Sequence, residues 1–142
     1  MAVINFVKRV QDVMRNDAGV NGDAQRIEQI VWILFLKIYD AKEQEWEFVN
    51  DDYKSIIPEG CKWRNWAVDE KDGDALTGDA LLSFVNNTLF PTLKNLEIDE
   101  STPMSQVMVR YAFEDANNYM KDGILLRQVV NIIDEIDFTE YE

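Results

Sequence analysis

Ile30-Val31-Trp32-Ile33-Leu34-Phe35-Leu36 is the longest apolar run in the chain, closed by Gln29 before it and Lys37 after it. A bilayer span needs about 20 such residues, so the run is too short to cross a membrane and reads as the middle of a helix buried on most sides. No glycine or proline interrupts the sequence from Ala24 to Phe48, and the helix is expected to occupy that whole stretch. Asp23, which follows the Asn21-Gly22 turn signal, is placed to cap it. Beyond Leu36 the character changes: Asp40, Glu43, Glu45, Glu47, Asp51 and Asp52 stand against a single Lys42, with Trp46 and Phe48 keeping some apolar contact. That end is expected to reach solvent, and the Glu43/Glu47 pair to sit on a solvated face.

Other helices flank this one. Val3, Phe6, Val7, Val10, Val13 and Met14 recur at helical spacing opposite Lys8, Arg9, Gln11, Asp12 and Arg15, which predicts an amphipathic first helix stopping near Asn16-Asp17-Ala18-Gly19. After the long helix, Pro58, Gly60, Gly73 and the run Asp69-Glu70-Lys71-Asp72-Gly73-Asp74 mark an irregular connection over about 50–76. Thr77 or Asp79 can cap a third helix running to about Leu96, which Pro91 is expected to kink. Thr102-Pro103 reads as the start of a fourth, carried on by Val107, Met108, Tyr111 and Ala112. Leu125, Leu126, Val129, Val130, Ile133 and Ile136 give a last amphipathic helix running into Asp137-Phe138. No strand pattern competes, and the expected fold is all-α: a compact multi-helix bundle, one domain over 1–142, with one long loop.

Bulk properties agree. The 142 residues suit one domain that buries about 68% of the unfolded chain's surface. With 46% hydrophobic and 29% charged residues the chain lies outside the disordered regime. The single Cys61 excludes an intrachain disulfide and fits a reducing compartment, so the cytoplasm is the expected location. A net charge of -13 opposes tight non-specific DNA binding by this domain alone.

The chemistry open to the chain is narrow. With no histidine it lacks an imidazole base, a Ser-His or Cys-His pair and an HExxH zinc site. No glycine-rich phosphate cradle is present, since Gly73 and Gly78 sit beside Asp74 and Asp79. A calcium loop built on Gly73 would need an acid where Val68 stands. Cys61 adjoins Lys62 and Arg64 but has no base, and reads as a bystander. The most specific cluster is Lys62-Trp63-Arg64-Asn65-Trp66, two cations alternating with two indoles. Such a cluster can stack on bases or anchor a partner, which makes Lys62, Trp63, Arg64 and Trp66 candidate DNA or partner contacts. The plainer reading is that both tryptophans pin the loop to the helices while Lys62 and Arg64 point outward.

The order of segments also carries a resemblance. Asn5-Phe6-Val7, then Asp23-Ala24-Gln25-Arg26-Ile27-Glu28-Gln29-Ile30 leading into Leu34-Phe35-Leu36-Lys37, the loop tryptophans after Pro58, and Val129-Val130-Asn131-Ile132-Ile133-Asp134-Glu135-Ile136-Asp137-Phe138 together resemble the N-terminal helical domain of the modification (M) subunit of type I restriction-modification systems. The resemblance covers essentially the whole chain and rests on overall pattern rather than a catalytic signature.

It implies a parent subunit that methylates adenine N6 in DNA with S-adenosylmethionine, at a target chosen by a specificity subunit. Further partners would be a second M subunit and a restriction subunit. The family's glycine-containing cofactor motif and its Asn-Pro-Pro-Phe/Tyr motif, which holds a flipped adenine, are both absent: the three prolines stand alone at Pro58, Pro91 and Pro103. No catalytic or cofactor residue can therefore be placed on this chain, which looks like a fragment ending before a methyltransferase domain. Its expected work is to support subunit assembly and DNA enclosure, with Lys62 and Arg64 meeting DNA, so that their replacement by alanine weakens binding and flattens its salt dependence. The rivals are a stand-alone acidic inhibitor that mimics DNA, motivated by the charge of -13, and a helical adapter unrelated to DNA.

Overall fold

The computed structural model of the chain describes residues 2–68 and 75–136, with side chains from residue 5 onward. The acidic run at 69–74, the side chain of Val3 and the expected helix end at 137–138 lie outside the described residues. The fold is all-α. Its elements are α1 (Ala2–Met14), α2 (Asp23–Val49), a 3-10 turn (Glu59–Cys61), α3 (Trp63–Trp66), α4 (Gly78–Phe84), a π turn (Val85–Leu89), α5 (Phe90–Lys94), α6 (Met104–Glu114) and α7 (Gly123–Asp134).

Helix α7 is the hub, with α1, α4 and α2 all packed against it. Its apolar spacing explains the role: Leu126, Val129, Val130 and Ile133 are all inaccessible to solvent. Asp122 starts it, its carboxylate accepting from the Ile124 and Leu125 N–H groups at 2.9 and 3.1 Å. Phe6, Val10 and Met14 of α1 are buried at the predicted spacing.

Helix α2 spans 27 residues, and Ile30, Trp32, Ile33 and Leu36 are buried. Two expectations about it change. Burial is one-sided: Leu34 and Phe35 are half-buried and Val31 is exposed. The acidic C-terminal half is not uniformly solvated either, because Asp40 is 5% exposed and Glu43 is inaccessible. Gly22, with φ +88°, occupies the cap position instead of Asp23, which lies in the first turn and pairs with Arg26.

The expected third helix continues from Gly78 to Lys94, but its middle widens. Proline at 91 has no N–H to donate four residues back. A π turn precedes it, in which the Phe90 N–H reaches the Val85 carbonyl five residues back. Thr77 stands at the cap position without a side-chain cap bond. Thr102 likewise does not cap α6: its hydroxyl accepts from the Asp99 N–H at 3.0 Å, and the helix begins after Pro103. Around Phe113, Trp32, Phe35 and Phe90 form an edge-to-face aromatic core with ring centroids 5.4–6.5 Å from the Phe113 ring.

Asp17, 3% exposed, ties the end of α1 to the start of α7. It accepts from the N–H groups of Gly19, Lys121 and Asp122 at 2.8–3.0 Å. Replacing Asp17 by alanine leaves three donors short of an acceptor and is expected to cost about 2 kcal/mol of stability, measured by urea unfolding. An unchanged urea midpoint would show that water takes over the carboxylate's role.

Candidate functional site

The residues singled out in the long loop do come together, on the inner side of it. Trp63 and Trp66 are 3% and 4% exposed, with rings edge to face at 5.4 Å. The Trp63 indole donates to Asp134 Oδ1 at 2.8 Å, which fastens the loop to α7. The Trp66 indole donates to the Cys61 carbonyl at 3.1 Å, and its ring lies 5.7 Å from that of Phe84. Burial occupies the faces that a base would stack on.

The two cations do not point freely outward. Lys62 is buried along its stem and its ammonium lies 2.6 Å from Glu59 Oε1, holding that carboxylate below its usual range. Arg64 reaches back to α2: its Nε donates to Asp40 at 2.9 Å, and Nη1 and Nη2 donate to the two Glu47 oxygens at 3.0 and 2.7 Å. This fork-to-fork pairing holds Glu47 below the ordinary carboxylate range. The carboxylates read as a solvated face are thus the acceptors of the loop's own cation.

One turn away, Glu43 accepts from the Tyr53 hydroxyl at 2.6 Å, while its Oε1 has no partner among the described residues. Burial, then the neighbouring Glu43 charge, pushes Tyr39 up to about 12; burial and the Glu43 hydrogen bond push Tyr53 up further. Burial also pushes the Cys61 thiol up, so the adjacent basic residues do not activate it.

Arg127 of α7 closes the outer end of the loop. Its guanidinium donates to the carbonyls of Ala67 and Leu76, on either side of 69–74, and to Asn131 Oδ1 at 2.7 Å. Sequence reading missed Asp40, Glu43, Tyr53, Arg127 and Asp134 as parts of this cluster. For the first two a signal existed: Ile33, Leu36, Asp40 and Glu43 continue one helical stripe.

Chemically the cluster is a set of matched acids and bases that fasten a loop. Among the described residues no group of three His, Cys, Asp or Glu side chains is placed to hold a metal, and no helix is long and apolar enough to cross a membrane.

A family model described as the HsdM N-terminal domain matches residues 3–133. The chain is 52% identical over 139 residues to the type I restriction enzyme EcoEI methylase subunit of Escherichia coli, a match covering 98% of this chain and 28% of that protein. Among solved structures it is similar to a modification subunit attributed to a type I restriction enzyme of Vibrio vulnificus YJ016, with TM-score 0.83 and 33% identity over 96% of this chain and 31% of that one. A chain from a structural study of complex assembly and conformational transition of the type I R-M system matches with TM-score 0.79 and 33% identity, over 96% and 26% of the two chains. The chain spans less than a third of the length of each of these relatives.

Proposed function

The chain belongs to the HsdM N-terminal domain family, found in type I restriction-modification methylase subunits, and on that premise we propose that it is the assembly domain of such a subunit. In this reading residues 1–142 form one helical unit that packs against a catalytic domain and neighbouring subunits and helps enclose DNA. The parent transfers a methyl group from S-adenosylmethionine to adenine N6, in the cytoplasm. Its partners are a specificity subunit, a second M subunit and a restriction subunit.

The observation that carries this reading is the 52% identity to the EcoEI methylase subunit across nearly the whole chain. The cluster geometry supports the division of labour. A chain with no histidine, whose buried Asp17, Asp40 and Glu43 are engaged by backbone N–H groups, Arg64 and Tyr53, offers structure rather than proton transfer. The same identity counts against a stand-alone DNA mimic, since the stretch matched belongs to a methylase subunit.

We assign Lys62, Trp63, Arg64 and Trp66 to holding the loop that shapes this surface, and not to touching DNA directly.

The test uses the full-length subunit co-purified with its specificity subunit, with and without residues 1–142. Deletion is expected to abolish methylation of target DNA by the complex, while S-adenosylmethionine binding by the remainder persists. A truncated subunit that assembles and methylates at the full rate would remove the proposal.

A further inference from the structure

The outer side of α2 and the neighbouring side of α6 leave an apolar groove. Ile27 and Val31 on α2 and Tyr111 on α6 are each more than half exposed, and Phe35 is half-buried between them. They line a cleft of about 360 Å³ together with Ala112, Ala116 and the outer edges of Trp32 and Phe113. The apolar strip continues along α6 through Met108 and Met104, one helical step apart and both more than half exposed. A monomer rarely exposes a row of large apolar side chains in a concave site without a use for it.

The charged side chains that line the groove are of one sign, the nearby Lys94 ammonium being turned onto the Glu114 and Ala116 carbonyls. Glu28 and Asp115 line it, and among the described residues no lysine or arginine does. Tyr119 donates to one Glu28 oxygen at 2.6 Å, which fixes that carboxylate in place without neutralising it. An apolar floor with acidic edges repels nucleic acid. It also disfavours a second copy of the chain, since a two-fold contact would bring both copies' Glu28 and Asp115 together on molecules that each carry a charge of -13.

We infer that the α2/α6 groove receives an amphipathic helix of a partner protein, with apolar residues at i, i+3 or i+4 and i+7, flanked by lysine or arginine. A helix laid between two others is the ordinary way to cover such a seam: its apolar residues fill the cleft against Val31, Phe35 and Tyr111, and its cations meet Glu28 and Asp115. The groove shares α2 with the Arg64 cluster, and Phe35 stacks on Tyr39 at 5.7 Å, but none of the cluster's hydrogen-bonded groups lines the cleft. The inference rests on the assembly reading only for the partner being a protein.

The test titrates the 142-residue chain with a synthetic helical peptide of about 18 residues, so about 27 Å long, carrying a leucine ridge flanked by lysines. One twin has glutamate for lysine and another has serine for leucine. The leucine/lysine peptide is expected to bind at least about tenfold more tightly than either twin. Val31→Asp with Tyr111→Ser should weaken it by about tenfold or more even though the aspartate adds attraction for lysine, and Glu28→Lys with Asp115→Lys should weaken it further. All these positions are exposed, and circular dichroism checks that the variants stay folded.

Equal binding to the Val31→Asp/Tyr111→Ser chain, or equal binding of the serine twin, would reduce the effect to bulk charge and overturn the inference. Self-association of the chain that Val31→Asp abolishes would assign the groove to a second copy instead. The peptide experiment does not involve methylation, so it can fail while the deletion experiment succeeds, and the reverse.

Discussion

Replacing Arg64 by alanine is expected to lower the free energy of unfolding by about 3 kcal/mol, the lower end of the cost of breaking a buried ion pair from one side. The estimate starts from what is left behind. Asp40, 5% exposed, keeps the Gln44 amide at 3.1 Å but loses its guanidinium partner, and Glu47 loses both of its guanidinium bonds. The lower end applies because the Arg64 side chain is itself about a quarter open to water. Lysine cannot form the fork, so Arg64→Lys recovers only part of the loss. Adding Asp40→Asn to Arg64→Ala removes the stranded charge and should restore some of it.

The pH dependence of this loss has a definite sign. Glu47 titrates lower in the folded chain than when unfolded, so its contribution is present above the ordinary carboxylate pKa and fades as pH falls through the folded value. Wild type and Arg64→Ala should therefore converge in stability on acidification. In the assembled complex, DNA affinity after Arg64→Ala should keep its salt dependence. A phosphate contact by Arg64 would have contributed about 0.9 to that slope, and a drop of this size in a folded variant would put Arg64 on DNA.

That assignment keeps the plainer of the two sequence expectations for Trp63 and Trp66 and sets aside the outward-pointing cations, for a physical reason. The alternation of Lys62, Trp63, Arg64 and Trp66 is visible in one line of text, but their partners Asp40, Glu47 and Asp134 lie 17 to 71 residues away. Helical periodicity reports which residues share a face, not which loop folds over that face. In the acidic half of α2 the stripe from Ile33 and Leu36 to Asp40 and Glu43 was therefore legible, and the loop that covers it was not. The same limit hid Arg127, whose acceptors are backbone carbonyls that leave no mark in the side-chain pattern.

The elements themselves were legible wherever one face is apolar and the other charged. Helices α1, α2 and α7 follow their spacing because burial of Phe6, Val10, Ile33, Leu126 and Val130 decides the conformation. The boundaries were less so. Asp23, Thr77 and Thr102 all have capping chemistry, yet the first lies inside its helix, the second makes no cap bond and the third closes a separate turn. Capping residues have several local hydrogen bonds open to them, and tertiary placement chooses among these. The exposed side of the Ile30 to Leu36 run was misjudged on the same grounds, since a fully apolar segment is also compatible with an open groove awaiting a partner.

Gly123→Ala is expected to be severely damaging for a single added methyl, at about 3 kcal/mol or somewhat more, although alanine is the better helix former. Gly123 opens α7 and is buried against Gly78, the first residue of α4. A Cβ there would fall within the van der Waals envelope of the Gly78 carbonyl and Cα, which belong to the backbone and cannot swing aside. Relief requires α4 to shift along α7, and that pulls Leu81 and Val85, both inaccessible, out of their contacts. The favourable propensity term is about 1 kcal/mol, too small to offset overpacking of two helix backbones. Gly60 supplies the control: a Cβ there meets nothing within 4 Å, so Gly60→Ala should leave stability nearly unchanged. Thermal unfolding of the two variants separates the cases, with a fall of roughly 10 °C expected for Gly123→Ala. If Gly123→Ala melts with wild type, the close approach of α4 and α7 is not what fixes their packing.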